Sequence, residues 1–265
     1  KIIKDGMVQK LDKDVLTNLT DLYADALKYM EFDSEMLYAV PYLWGNVGII
    51  YDSTLVDAED VESLGWDVFL LEKYRGMVYF YDSERDSFMV ALKALGYSMN
   101  TKNEQELLEA YNWLIKMDNA VDPAYVTDEI IDGIINGEKA LGYVYSGDAT
   151  YMIYENENLS FYVPHQGTNI WMDCMIIPSN AKSPDLANFF INYMLSYDVS
   201  YANSEYVGYT SPNEEVLIAL SSEDGEYYGI DAYIPRVGYE EDEVFVNDDN
   251  IRKIISEYWV KVKLN

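Results

Sequence analysis

The apolar positions of this chain fall into short runs that alternate between the strand period and the helix period. Residues 77–81 (Met-Val-Tyr-Phe-Tyr) are β-branched and aromatic and stop at Asp82-Ser83, which reads as a strand. Residues 85–95 then set Phe88, Leu92 and Leu95 on a helical stripe that Gly96 stops. Thr101-Lys-Asn-Glu104 has capping-box spacing and opens a helix through Met117, with Leu107, Leu108, Tyr111, Leu114 and Ile115 as its expected buried face. Residues 140–145 read as another strand, and Ser146-Gly-Asp148 as a tight turn into a further helix. Met175-Ile-Ile-Pro178 ends a strand. Ser183-Pro184 then supplies an N-cap and a first-turn proline for a helix to Leu195. Ser211-Pro-Asn-Glu214 reads as a second capping box, and residues 251–262 as a last amphipathic helix.

Strands alternating with helices predict an α/β fold with mainly parallel sheets. In such sheets ligands bind beyond the carboxyl ends of the strands, where the chain turns into helices. The search for function therefore narrows to residues 82–86, residues 146–148 and the turns after the other strands.

Composition changes the picture in three ways. The chain has 265 residues, 49% of them hydrophobic and only 7 of them Pro, enough to bury one large core or two medium ones. Its net charge of −29 repels phosphate backbones and anionic lipid, which excludes nucleic acid as a partner and concentrates cations near any cleft; it also serves solubility alone. Cys174 is the only cysteine and His165 the only histidine, which removes disulfides, cysteine metal sites and most histidine chemistry. No nucleophile motif supports a Ser-His-Asp arrangement around His165. No apolar run is long enough to span a membrane. No leader peptide is visible, and the chain opens on Lys1-Ile-Ile-Lys4 as though already under way. The 26 tyrosines, with 5 Trp and 8 Phe, are mostly core; a few beside acids can form a cation box.

Four constellations carry candidate chemistry. Tyr81-Asp-Ser-Glu-Arg-Asp86 straddles a strand end and a helix start, where Asp82 or Ser83 also serves as an ordinary N-cap. In Tyr143-Val-Tyr145-Ser-Gly-Asp148, Tyr145 and Asp148 flank a flexible Gly at the end of the next strand, where Asp148 also serves as a helix cap. Trp171 and Asp173 lie on one side of a strand by alternation, and an Asp in that apolar stretch needs a cation or donors to be buried. Tyr209 lies in a Tyr-Val-Gly-Tyr run, read as loop, before the second capping box.

At these places the chain resembles the spermidine/putrescine-binding proteins of ABC importers. The motifs are Pro-Tyr-x-Trp-Gly over residues 41–45, Trp171-Met-Asp173 with Pro178-Ser-Asn-Ala181, and Gly208-Tyr209 with Pro212-Asn213. The likeness keeps register from Asp5 to Tyr258. It implies a two-lobe, type II periplasmic-binding-protein-like α/β fold. Residues 1–50 and 173–217 would form what remains of the N-terminal lobe, and residues 51–172 and 218–265 the C-terminal lobe. The ligand would lie between them, and roughly the first quarter of the family domain would precede residue 1. The resemblance further implies that Trp171, Asp173 and Tyr209 are ligand contacts, with Tyr145 standing at a family Trp and Asp86 at a family Glu. Asp148 matches the acid of putrescine-type members. Ser83 stands where spermidine-type members are acidic, which leans the ligand toward putrescine. No residue is implied to be catalytic and no cofactor or metal is implied. The implied protein is an extracytoplasmic monomer, periplasmic or tethered to the outer face of the membrane, that delivers polyamine to permease subunits.

Three other readings stay open on the residues alone. The same fold could hold ferric ion through paired tyrosines, or another organic amine. A glycosidase could use two of Asp82, Asp86, Asp148 and Asp173. A receptor-like module fused to a permease would need no small ligand.

Overall fold

The computed structural model describes residues 1–19 and 22–265. The strands are β1 (Ala39–Asp52), β2 (Val78–Tyr81), β3 (Ala124–Val126), β4 (Leu141–Tyr145), β5 (Leu159–Tyr162) and β6 (Ile170–Ile176). The helices are α1 (Ala24–Leu27), α2 (Ala58–Leu64), α3 (Glu84–Ala94), α4 (Glu104–Val121), α5 (Glu129–Ile135), α6 (Ser146–Glu155), α7 (Pro184–Met194), α8 (Tyr197–Val207), α9 (Glu214–Ser221) and α10 (Asp249–Val262). None of these helices is long and apolar enough to cross a membrane.

The chain divides into two compact units, residues 1–45 with 171–238, and residues 46–170 with 239–265. Residues 218–238 thus belong to the first unit, whereas the resemblance groups them with 239–265. The reason is a core of Val216, Leu217 and Leu220 from α9 packed on Tyr227 and Tyr233, which ties this stretch to the helix before it.

In the second unit the sheet order is β3-β2-β4-β1-β5. β2 pairs in parallel with both β3 and β4, but β1 pairs antiparallel with β4 and β5. The sheet is mixed, not mainly parallel, because β1 enters from the first unit and runs against the βα repeats. β2 is buried along its whole length, as expected for a parallel strand covered on both faces. α3 is buried from Asp86 to Lys93 and packs against α4 and α10. The buried stripe of α4 is Leu107, Ala110, Trp113, Leu114 and Met117, turned away from Leu108, which is exposed. Trp113 decides the turn, because its indole N–H reaches Asp67 Oδ1 at 2.9 Å.

In the first unit, Leu11, Leu16, Val40, Ile177, Ile191 and Leu195 form the core under α7. Asp33 is buried there and accepts the backbone N–H groups of Leu37, Tyr38 and Ala39, fixing the entry into β1.

Both expected capping boxes are displaced by two residues. The N-caps are Asn103 and Asn213, whose side chains accept from Gln105 N and Val216 N. Thr101 Oγ1 and Ser211 Oγ instead accept the backbone N–H of those asparagines, at 3.1 and 3.0 Å. Asn outcompetes a hydroxyl two residues ahead because its carbonyl reaches the first-turn N–H groups directly.

Candidate functional site

The expected site residues fall into two sets, one in each unit. In the second unit, β2 and β4 are parallel neighbours, so their carboxyl ends share one edge of the sheet. Asp86 follows β2 in the first turn of α3, and Asp148 follows β4 in the first turn of α6. β4 passes straight into α6 at Ser146, so residues 146–148 are helix and not a separate tight turn.

Ser83 is the N-cap of α3, and its hydroxyl donates to Asp86 Oδ2 at 2.5 Å. The Tyr145 hydroxyl donates to the same oxygen at 3.2 Å. Asp86 is only 3% exposed, yet its other oxygen, Oδ1, has no hydrogen-bond partner in the structure. Two donors on one oxygen and none on the other, which is itself buried, make Asp86 a pre-oriented acceptor with one oxygen unpartnered.

Tyrosine rings wall this carboxylate. Tyr81 lies 5.6 Å from Tyr145 at 69° and 5.7 Å from Tyr143 at 41°, centroid to centroid. Ser87 Oγ donates to the Tyr81 carbonyl and shares a hydrogen bond with the Tyr143 hydroxyl at 3.1 Å. Burial pushes the Tyr81 phenol up, and Asp148, Tyr145, Asp128 and Asp86 reinforce it. Burial also raises Tyr143 and Tyr145, each reinforced by Asp86, while Arg85 works against the rise at Tyr145. All three phenols therefore stay protonated, as donors beside a ring of negative charge. Asp82 takes no part, because Lys263 Nζ at 2.6 Å and the Trp259 indole N–H at 3.3 Å hold it.

In the first unit, Trp171 and Tyr209 meet edge to face, with centroids 5.3 Å apart at 84°. Gly208, at φ 76°, ends α8 in the left-handed region and frees Tyr209 to turn toward Trp171; residues 206 and 207 belong to α8 and not to a loop. Trp44 is fully buried behind them; its backbone N–H and indole N–H donate to the carbonyls of Thr210 and Ser211, at 3.1 and 3.3 Å. Tyr23 and Tyr29 pack on Trp44, at 6.0 and 6.4 Å.

Asp173 is exposed on β6, not buried as its apolar surroundings suggest. Even so, partial desolvation by its neighbours raises its carboxyl above the usual carboxylate range. It lies close enough to Tyr42 to add to that phenol's rise, which burial dominates. Cys174 is pushed up to about 12, by burial first and then by Asp173 and Asp33, so it is an inert thiol.

Sequence reasoning missed Tyr42 and Asp128 as neighbours of the candidate acids, whereas Tyr143 opens the 143–148 run that it singled out. Tyr42 was readable from alternation along β1. Asp128 was not, since β3 has only three residues and gives no strand signal.

Comparison with known proteins decides the family. Residues 1–226 match the family described as bacterial extracellular solute-binding protein. The chain belongs to that family. It is a family of solute-binding transport proteins and not of enzymes, which sets the glycosidase reading aside. The chain is 35% identical over 223 residues to a spermidine/putrescine-binding periplasmic protein of Escherichia coli (strain K12), covering 84% of this chain and 63% of that protein. It is 30% identical over 275 residues to a putrescine-binding periplasmic protein of the same strain, covering 97% of this chain and 74% of that protein. It also resembles a crystal structure of a spermidine/putrescine ABC transporter substrate-binding protein from Streptococcus pneumoniae. There the TM-score is 0.85 and the identity 31%, over 99% of this chain and 80% of that one. The α/β expectation holds, and the fold is that of two-lobe periplasmic solute-binding proteins. The chain spans less than two thirds of the length of the spermidine/putrescine-binding relatives it matches.

Proposed function

We propose that this protein captures polyamines outside the cytoplasm and delivers them to the permease of an ABC importer. The observation that carries the reading is the unpartnered Oδ1 of buried Asp86, held among Tyr81, Tyr143 and Tyr145. An alkylammonium group satisfies that oxygen with a charge-assisted hydrogen bond, and its methylenes lie against the rings with added cation–π attraction. A neutral sugar or an anion gains nothing from such a site. The first unit repeats the chemistry with Asp173, Trp171 and Tyr209. The relatives bind putrescine and spermidine by name, which supports the same ligand class here. Binding needs no covalent step, so acids and aromatic rings suffice without a nucleophile.

A thermal-shift series on the full-length protein tests the reading. Ligand at 100 times its Kd adds about 2.7 kcal/mol to the stability of the folded state. Putrescine or spermidine should raise Tm by several degrees where glucose, glutamate and ferric citrate do not. A shift with ferric citrate alone would replace the polyamine with a metal.

A further inference from the structure

A triamine such as spermidine carries one more ammonium than a diamine that spans Asp86 and Asp148, and Ser83 does not supply the missing charge. Ser83 is uncharged, and its hydroxyl is already committed to Asp86. The neighbouring strand offers an alternative. β3, β2 and β4 are consecutive and parallel, with Tyr81 beside Val126 and Tyr79 beside Gly142. Their carboxyl ends therefore lie along one edge, roughly 5 Å apart from strand to strand. Each is followed within a few residues by an aspartate: Asp128 after β3, Asp86 after β2 and Asp148 after β4.

Asp128 has no structural duty that accounts for it. It stands at the N-cap of α5 but makes no side-chain capping bond, and its own backbone is helical. Glu129 receives the Thr127 backbone N–H and hydroxyl in its place, at 2.9 and 2.8 Å. The Asp128 carboxylate is exposed, and among the described residues no hydrogen bond or salt bridge engages it. It nevertheless lies close enough to Tyr81 to add to that phenol's rise, as Asp86 and Asp148 also do. A row of acids alone would say little. The buried, half-partnered Asp86 in the middle of the row marks this edge as built for a cation.

We propose that Asp128 is a specificity-determining residue that receives the third ammonium of a triamine, taking the role that Ser83 leaves unfilled. The inference rests on the polyamine reading above and extends it to spermidine and its homologues. Asp86 holds one ammonium, and the arm beyond it passes Tyr81 toward the end of β3. A diamine spans Asp86 and Asp148, whose strands are parallel neighbours, and leaves Asp128 to the third ammonium.

Calorimetry with putrescine, spermidine and N1-acetylspermidine on the wild type and Asp128→Asn tests this. N1-acetylspermidine keeps the length of the triamine and removes only the terminal charge. The wild type should bind spermidine about 10-fold tighter than N1-acetylspermidine. D128N should weaken spermidine about 10-fold, change putrescine less than threefold and leave N1-acetylspermidine unchanged. Because Asp128 is exposed and makes no bond, the variant's ligand-free Tm should stay at the wild-type value. Putrescine binding with spermidine indifferent to D128N overturns this inference and leaves the polyamine reading intact. Equal losses for putrescine and spermidine also overturn it. Absence of binding to all three by the wild type removes the polyamine reading, and this inference with it.

Discussion

Replacing Asp86 by asparagine separates binding from stability in a way that the structure makes quantitative. The carboxylate is 3% exposed, receives the Ser83 and Tyr145 hydroxyls on Oδ2 and leaves Oδ1 without a partner. Asparagine keeps an oxygen for both hydroxyls and exchanges the bare charged oxygen for a neutral NH2. A charge-assisted hydrogen bond contributes about 1.5–3 kcal/mol, so its loss weakens ligand binding about 10- to 100-fold. The NH2 is no better partnered than Oδ1, so the gain comes from removing a buried charge, whose desolvation costs more than that of a neutral amide, and this stabilises the ligand-free protein. A gain of about 1 kcal/mol raises Tm by about 2–4 °C at this chain length. Titration calorimetry reads the affinity, and scanning calorimetry without ligand reads the stability. Opposite signs are expected: binding falls and Tm rises. Unchanged affinity, or an affinity loss accompanied by a fall in ligand-free Tm, would mean that Asp86 is structural and the reasoning is wrong.

Two further outcomes follow from other parts of the molecule. Desolvation raises the Asp173 carboxyl, so its charged form is disfavoured by folding. The stability it contributes is present below the unfolded pKa and is lost as pH rises through the folded value. Ligand binding needs the charged form; affinity should therefore start to fall, as pH is lowered, at a higher pH than an ordinary aspartate allows. Asp173→Asn should weaken binding at neutral pH and flatten that acid limb in a calorimetric pH series. Lys93 is 2% exposed and pairs with Glu243 at 2.5 Å while donating to the Glu241 carbonyl at 2.6 Å. Burial opposes ionisation of Glu243, but Lys93, Ser98 and the Met99 N–H prevail and hold its carboxyl below the usual range. That stability is present above the unfolded pKa and is lost as pH falls through the lowered folded one. Lys93→Met leaves a largely buried carboxylate uncompensated and should cost about 3 kcal/mol in urea unfolding at neutral pH.

Most of the fold was legible because its signals are local. Proline at the first position of α7, the stripe of α3 and the aromatic run of β2 each state their own structure. What was lost depended on contacts between distant residues. The antiparallel placement of β1 is set by pairing with residues about a hundred positions away, and periodicity carries no direction. Leu108 has the spacing of a core residue but loses that place to Trp113, whose indole is fixed by Asp67. In the candidate site, Asp86, Ser83 and Tyr145 were readable, since a strand end followed by a helix start shows in the sequence. Their joint state was not: two hydroxyls crowding one oxygen is a fact of rotamers. Whether Asp173 is covered was not legible, and it is exposed, because alternation assigns a side but not the cover over it.

The central claim is that this chain's acids and tyrosines bind alkylammonium ligands, and titration calorimetry of the full-length protein with putrescine and with spermidine tests it most directly. Saturable one-to-one binding with a submillimolar Kd is expected, screened by salt and weakened by Asp86→Asn. No heat with either amine up to several millimolar, at neutral pH and low salt, would contradict it.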